Sequence, residues 1–140
     1  MALSQTVPGR RWSGLAAPFA SAAAALTATV YVAATDPNEP GHYPLCPFRY
    51  LTGYACPGCG SLRAVHDLAT GQPVAALHRN PLTVAAVPFV VVMWLLWLHR
   101  AATGRGRRWA APAWLLWTLL GVVLAFWLLR NMPGLAVLGP

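Results

Sequence analysis

Charged side chains are scarce in this sequence. Only 9% of its 140 residues are charged, lysine is absent, and acidic residues number three. Soluble domains carry about 25% charged residues, whereas 57% of this chain is hydrophobic. A water-soluble core of this length cannot bury so much apolar surface. We therefore expect a lipid bilayer to be the chain's solvent and principal partner.

The ten basic residues, all arginines, give a formal net charge of +7. In a soluble protein such a balance would indicate nucleic-acid binding. Here the arginines lie at the ends of apolar runs, where membrane topology and lipid headgroups account for them. The seven tryptophans agree with this view, because tryptophan is favoured at membrane interfaces. We expect no nucleic-acid partner.

Three apolar runs are long enough to cross a membrane as helices: residues 15–34, 82–98 and 109–129. A crossing helix takes about 20 mostly apolar residues, and no charged side chain interrupts these runs. We predict an all-α membrane protein with three transmembrane helices. A cysteine-containing segment, residues 35–81, would lie between the first two. Because ion-coupled carriers place charged groups inside their spans, we do not expect a transporter.

The first run is rich in small residues. Alanines recur every four residues (Ala16, Ala20, Ala24, Ala28), a spacing that favours close packing on another span or self-association. A cleaved secretory signal is the alternative, because the run follows two arginines and ends in small residues. The run exceeds the usual 7–15-residue signal core. We therefore expect a retained anchor.

The distribution of arginines predicts the orientation. The N-terminal tail, residues 1–14, and the loop 99–108 together carry six arginines and no acid. In the segment 35–81, three arginines are offset by all three acids, and the C-terminal tail, residues 130–140, has one arginine. The positive-inside rule then places the N-terminus and the 99–108 loop in the cytoplasm. The cysteine segment would lie outside a bacterial inner membrane.

The segment 35–81 combines an irregular first part with short helices. Prolines and glycines over residues 35–54 predict a turn-rich loop without a helix. Residues 61–70 show amphipathic spacing with an i,i+4 pair, Arg63 and Asp67, and a second short helix is predicted over residues 73–79. Asn80 is expected to cap the second span.

Ordered motifs in this segment resemble a known family. They are Cys46-Pro47, then Thr52 to Ala64 with the Cys56-Pro57-Gly58-Cys59-Gly60 turn, then Gly71, Ala75-Ala76 and Asn80-Pro81. The combination is similar to the bacterial membrane proteins of domain of unknown function (DUF) 2752, over about residues 45–98. Here Ser61-Leu62 stands where that family often has Leu/Met-Thr. The resemblance implies a small membrane protein and no particular activity.

A metal site is the first interpretation of the three cysteines, Cys46, Cys56 and Cys59. The Cys-Pro-Gly-Cys-Gly turn has the shape of a zinc knuckle, and zinc sites are normally completed by four ligands. Cys46 would supply the third thiolate. We expect His66 to be the fourth ligand, because positions 59, 63 and 66 fall on one face of a helix.

Redox chemistry is the second interpretation. A Cys56–Cys59 pair at a helix start, with Arg63 one turn away, would have a lowered thiol pKa and could exchange electrons with substrate thiols and a membrane quinone. Such relays normally need a second cysteine pair. A structural disulfide that leaves one thiol free is the third interpretation. Arg63 could instead bind a lipid phosphate or a carboxylate.

These patterns favour a non-enzymatic binding or assembly module, whose cysteine turn is held by a metal ion, zinc first of all, or by a disulfide. The alternative is a membrane thiol–disulfide oxidoreductase that uses Cys56 and Cys59.

Overall fold

The computed structural model describes residues 9–39, 41–44, 46–104 and 112–133, with side chains from residue 14 onward. Every regular element in these ranges is a helix. The six helices are α1 (Gly9–Ala34), α2 (Pro47–Thr52), α3 (Ser61–Ala69), α4 (Pro73–Arg79), α5 (Pro81–Thr103) and α6 (Ala113–Arg130).

Three of these helices are long and apolar enough to cross a membrane: α1 over Gly14–Ala34, α5 and α6. The predicted fold class is thereby confirmed. Helix α5 ends at Thr103 rather than at residue 98, because Gly104 supplies the left-handed residue, φ 65°, that ends the helix. The start predicted for the third span, residue 109, lies outside the described residues, and α6 begins at Ala113.

Helices α1 and α5 pack antiparallel to each other. The Trp94 indole nitrogen donates to the Pro18 carbonyl and to the Ser21 hydroxyl, both at 3.2 Å. Pro18 is fully buried, and Gly14 faces the Ala101 carbonyl near the other end of the contact. Because Pro18 has no backbone N–H, the carbonyl that loses its helical donor is that of Gly14, four residues earlier, and Gly14 also lies against α5.

The alanine stripe on α1 does not make this contact. Ala16, Ala20, Ala24 and Ala28 are all exposed, whereas Pro18 on a different face is buried. Self-association through the stripe stays a prediction.

Helix α2 corrects the expectation of an irregular loop over residues 35–54. Pro47 occupies the first helical turn, where a missing N–H costs nothing, and Gly53 at φ 75° ends the helix after six residues. In this proline-rich segment Pro47 therefore begins a helix, although we had expected the prolines to prevent one.

The two predicted short helices are present as α3 and α4. They pack through Ala64 and Ala76, both fully buried, whose methyl side chains allow close approach. The predicted Arg63–Asp67 pair is wrong. Asp67 is buried, with its carboxylate 3.5 Å from Arg79 Nε on α4, while Arg63 Nε donates to the Pro37 carbonyl at 3.4 Å.

Helix α6 returns to the cysteine segment. Its last residues hydrogen-bond to the backbone of residues 55–59. The end of α1, the start of α5 and the end of α6 therefore lie at one end of the molecule, together with all three cysteines.

Candidate metal centre

The cysteine turn is built by backbone hydrogen bonds. The Cys59 N–H donates to the Cys56 carbonyl at 3.1 Å, and the Ser61 N–H donates to the Gly58 carbonyl at 3.0 Å. Gly60 then adopts φ 82° as the N-cap of α3. The Cys56 N–H points inward and donates to Cys59 Sγ at 3.2 Å. The amide of Cys56 and the sulfur of Cys59 are thus bound to each other within the turn.

Three sulfur atoms converge at this turn. The Sγ atoms of Cys56 and Cys59 are 3.0 Å apart, Cys46 Sγ is 3.5 Å from Cys56 Sγ, and all three lie within 4.8 Å of one another. The three thiols are free. With Zn–S bonds of about 2.3 Å, sulfurs on a tetrahedral ion are separated by roughly 3.8 Å. The cluster therefore needs only small adjustments to hold one ion.

The environments of the outer two thiols differ. The Arg49 backbone N–H, with the Cys56 thiol, lowers the pKa of Cys46. Burial, reinforced by the hydrogen bond with Cys56, raises the pKa of Cys59 to about 11. Both results are for the protein without a metal ion. A cation between the sulfurs would favour their thiolate forms, because a metal ion deprotonates the thiols that coordinate it.

The lowered pKa expected for the Cys56–Cys59 pair is therefore not found at Cys59. This thiol is only 7% exposed, so desolvation disfavours its charged form. Arg63, expected to supply a nearby cation, instead binds the Pro37 carbonyl.

Asn80 binds backbone carbonyls of the cysteine turn. Its side chain is 1% exposed. Its amide nitrogen donates to the carbonyls of Pro57 at 2.9 Å and Cys59 at 3.1 Å. Its amide oxygen accepts from the Thr83 N–H at 3.0 Å, which confirms the predicted cap of α5. One buried side chain thus starts α5 and fixes the cysteine turn to it.

Arg130, at the end of α6, binds these two carbonyls and that of Cys56. Its Nη1 donates to the carbonyls of Cys56 at 3.1 Å, Pro57 at 3.3 Å and Cys59 at 3.1 Å. The residue is only 5% exposed. From the sequence we treated Arg130 as an arginine of the C-terminal tail. Its position at the end of an apolar span was the only sequence signal for this role.

Two neighbours of Arg130 hold the residue before Cys56. The Asn131 amide group accepts from the Ala55 N–H at 2.8 Å and donates to the Ala55 carbonyl at 2.9 Å. The Trp127 indole N–H donates to the same carbonyl at 2.9 Å. Its ring also meets Phe48 of α2 edge to face, with centroids 5.9 Å apart. The end of α6 therefore contacts both flanks of the site.

His66 is not brought to the cysteines. Its Nδ1 lies 2.9 Å from the Val32 carbonyl and its Nε2 lies 3.9 Å from Asp36 Oδ1. Together with Arg63, which binds Pro37, it ties α3 to the end of α1 and the residues that follow. His66 as the fourth metal ligand stays a prediction, and the structure gathers only the three cysteines.

Gly60 offers a test of the turn geometry. Replacing it with alanine is expected to cost about 1–2 kcal/mol of stability, because an L-residue at φ 82° is strained. Gly58 is the matched control. Its φ is not positive, and an added Cβ would only make ordinary contacts, 3.9 Å from Ser61 Oγ and 4.0 Å from Cys56 Sγ. Thermal unfolding in detergent checks both variants, and equal losses would contradict this account of the turn.

Comparison with family models gives one match, over residues 46–94, to the family described as "Protein of unknown function (DUF2752)". Residues 46–94 are therefore similar to this family. The resemblance seen in the sequence is thereby confirmed. The DUF2752 match contains the three cysteines and Asn80, whereas Arg130 and Asn131 lie beyond it. No curated protein and no solved structure matches the chain.

Proposed function

We propose that this protein holds one thiophilic metal ion, zinc, between Cys46, Cys56 and Cys59. The convergence of their three sulfur atoms within 4.8 Å carries the proposal. Thiolates are the ligands that structural zinc sites favour, and a Cys-x-x-Cys turn is their usual building block.

The ion would serve to organise a binding or assembly surface rather than to catalyse a reaction. The sulfurs belong to α2's N-cap and to the turn before α3, and the carbonyls of the turn bind Asn80 of the α5 cap and Arg130 of α6. One ion at this point would join α2 to the cysteine turn, which is itself bound to α5 and α6. Structural zinc sites stabilise folds in this way.

Metal content and thiol count, measured on one sample of protein purified in detergent without chelator, test the proposal. We expect about one zinc per chain, and three thiols that react with a thiol reagent only after the metal is removed. Metal-free protein with three reactive thiols would contradict the proposal. So would a stable disulfide.

A thiol–disulfide oxidoreductase is the second candidate, favoured by the 3.0 Å between the sulfurs of Cys56 and Cys59. Forming their disulfide would release two protons and pass two electrons to an acceptor such as a quinone. The pKa of Cys59, about 11, and the burial of this thiol weigh against it, because the thiolate is the reactive species. Its signature would be a mixed disulfide with a partner, trapped when the resolving cysteine of the pair is replaced.

We further propose that the cysteine segment lies outside a bacterial inner membrane. The arginine bias supports this orientation. A membrane-impermeant thiol reagent is then expected to label the cysteines in intact cells after reduction and metal chelation. Ala102→Cys, at the far end of α5 in a cysteine-free background, is the control and should react only after lysis. If instead the native cysteines react only after lysis and the cysteine at position 102 reacts in intact cells, the cysteine segment faces the cytoplasm.

A further inference from the structure

The guanidinium of Arg130 is buried without a carboxylate. The side chain is 5% exposed, and among the described residues no acid lies within ion-pair distance of it. Nη1 binds three carbonyls, whereas Nε and Nη2 are buried and have no hydrogen-bond partner among those residues. The Phe126 ring lies 5.1 Å below the guanidinium carbon. A ring face offsets only a small part of the cost of burying a charge.

A buried cation needs a countercharge, and the geometry indicates where it lies. Two of the three carbonyls bound by Nη1 belong to Cys56 and Cys59, two of the proposed metal ligands. Among the residues that the structure describes, the sulfur cluster is therefore the group near Arg130 that can carry negative charge. The unpartnered nitrogens add a second, independent observation, since native proteins rarely leave buried donors unused.

We propose that Arg130 is the counter-cation of a divalent tri-thiolate metal centre, an inference that rests on the proposed function. A divalent ion on three thiolates has a net charge of −1, which the +1 of Arg130 cancels. A monovalent ion such as Cu(I) on the same thiolates has a net charge of −2, and one negative charge would stay buried. The centre therefore takes a divalent thiophilic ion with a neutral fourth ligand, either water or an imidazole.

This arrangement couples metal binding to the docking of α6. Arg130 belongs to the end of α6 and binds the carbonyls of the cysteine turn, so its charge favours the ion only when α6 is docked. Linkage is reciprocal, and a bound ion then strengthens the docking of α6 by the same factor.

Zinc affinity, measured by competition with a chelator at fixed pH, tests Arg130 through three variants of the full chain. Arg130→Gln removes the charge and is expected to bind zinc about 10–100-fold more weakly, as for other residues that support metal ligands. Arg130→Lys keeps the charge and should recover most of the affinity. Asn131→Ala, which loses the two bonds to Ala55 but no charge, should stay close to wild type.

The pH at which zinc is released shows whether Arg130 supports zinc binding through its charge or through its packing. Without the cation the thiolates are less stable, so protons displace zinc more readily. The midpoint of release should move to higher pH in Arg130→Gln and stay in place in Asn131→Ala. Cobalt(II) substitution, read by its thiolate charge-transfer absorption, gives an independent measure of the same shift.

Three outcomes would overturn the inference while leaving the metal site intact: wild-type affinity in Arg130→Gln, no recovery in Arg130→Lys, or an equal loss in Asn131→Ala. If Arg130→Gln does not fold, Arg130→Lys decides, because a loss greater than about 100-fold with the charge retained contradicts a counter-cation role. A wild-type protein that binds no zinc overturns the proposed function instead.

Discussion

Cys59→Ser is expected to weaken zinc binding by about two to three orders of magnitude. Structural zinc contributes roughly 10–16 kcal/mol of apparent binding free energy in small domains, or about 3–4 kcal/mol for each of four ligands. Losing one thiolate should therefore weaken binding by about 10²–10³-fold. Cys59 is the most buried of the three thiols, so a hydroxyl there finds no compensating water.

Zinc affinity, measured by competition with a chelator of known affinity, checks this expectation. Cys46→Ser and Cys56→Ser should behave in the same way, since each sulfur belongs to the same cluster. Gly58→Ala, in the same turn with all thiols present, should keep its zinc. A Cys59→Ser protein that binds zinc as tightly as the wild type would show that the ion binds elsewhere.

Asn80→Ala is expected to cause the largest stability loss of any single polar substitution outside the cysteines. It removes the N-cap of α5, which contributes about 1 kcal/mol. It also removes two hydrogen bonds to the carbonyls of Pro57 and Cys59, which keep Arg130 as a donor, and the loss of two such bonds costs about 1–3 kcal/mol. The total is about 2–4 kcal/mol.

Asn38→Ala is the matched control for this substitution, because Asn38 is exposed and, among the described residues, its side chain bonds to Asp36 alone. Thermal unfolding of both variants in the same detergent gives the comparison. If the two proteins lose the same stability, Asn80 does not fasten the cysteine turn to α5.

The long helices and the two short ones could be predicted because their signals are local. Run length identified the three apolar helices, and apolar spacing identified α3 and α4. Asn80 was recognisable as a cap from the proline that follows it. Its second role, holding the turn at residues 57–59, depends on tertiary contacts that spacing does not show.

The side-chain partners were harder to predict, for physical reasons. The i,i+4 rule considers one helix alone, whereas Asp67 finds Arg79 on a neighbouring helix. Counting from Cys59 to His66 assumes one continuous helix. Gly60, in the left-handed conformation, breaks that register before α3 begins at Ser61. Positions 59 and 66 therefore do not share a helical face.

The contacts made by the end of α6 were the hardest to predict from the sequence. Arg130 and Asn131 reach residues more than 70 positions away, and no periodic pattern connects such distant positions. The sequence placed Arg130 in the C-terminal tail, at the end of an apolar span, and indicated no side-chain partner for it. The partner is the backbone of the cysteine turn.

X-ray absorption spectroscopy at the zinc edge tests the central claim most directly, because it counts the sulfur atoms bound to the ion. For the purified wild-type protein we predict three sulfurs at about 2.3 Å and one lighter ligand at about 2.0–2.1 Å. An imidazole signature in that fourth position, lost in His66→Ala, would identify His66 as the ligand. A shell with no sulfur, or with only one, would contradict a metal centre built from Cys46, Cys56 and Cys59.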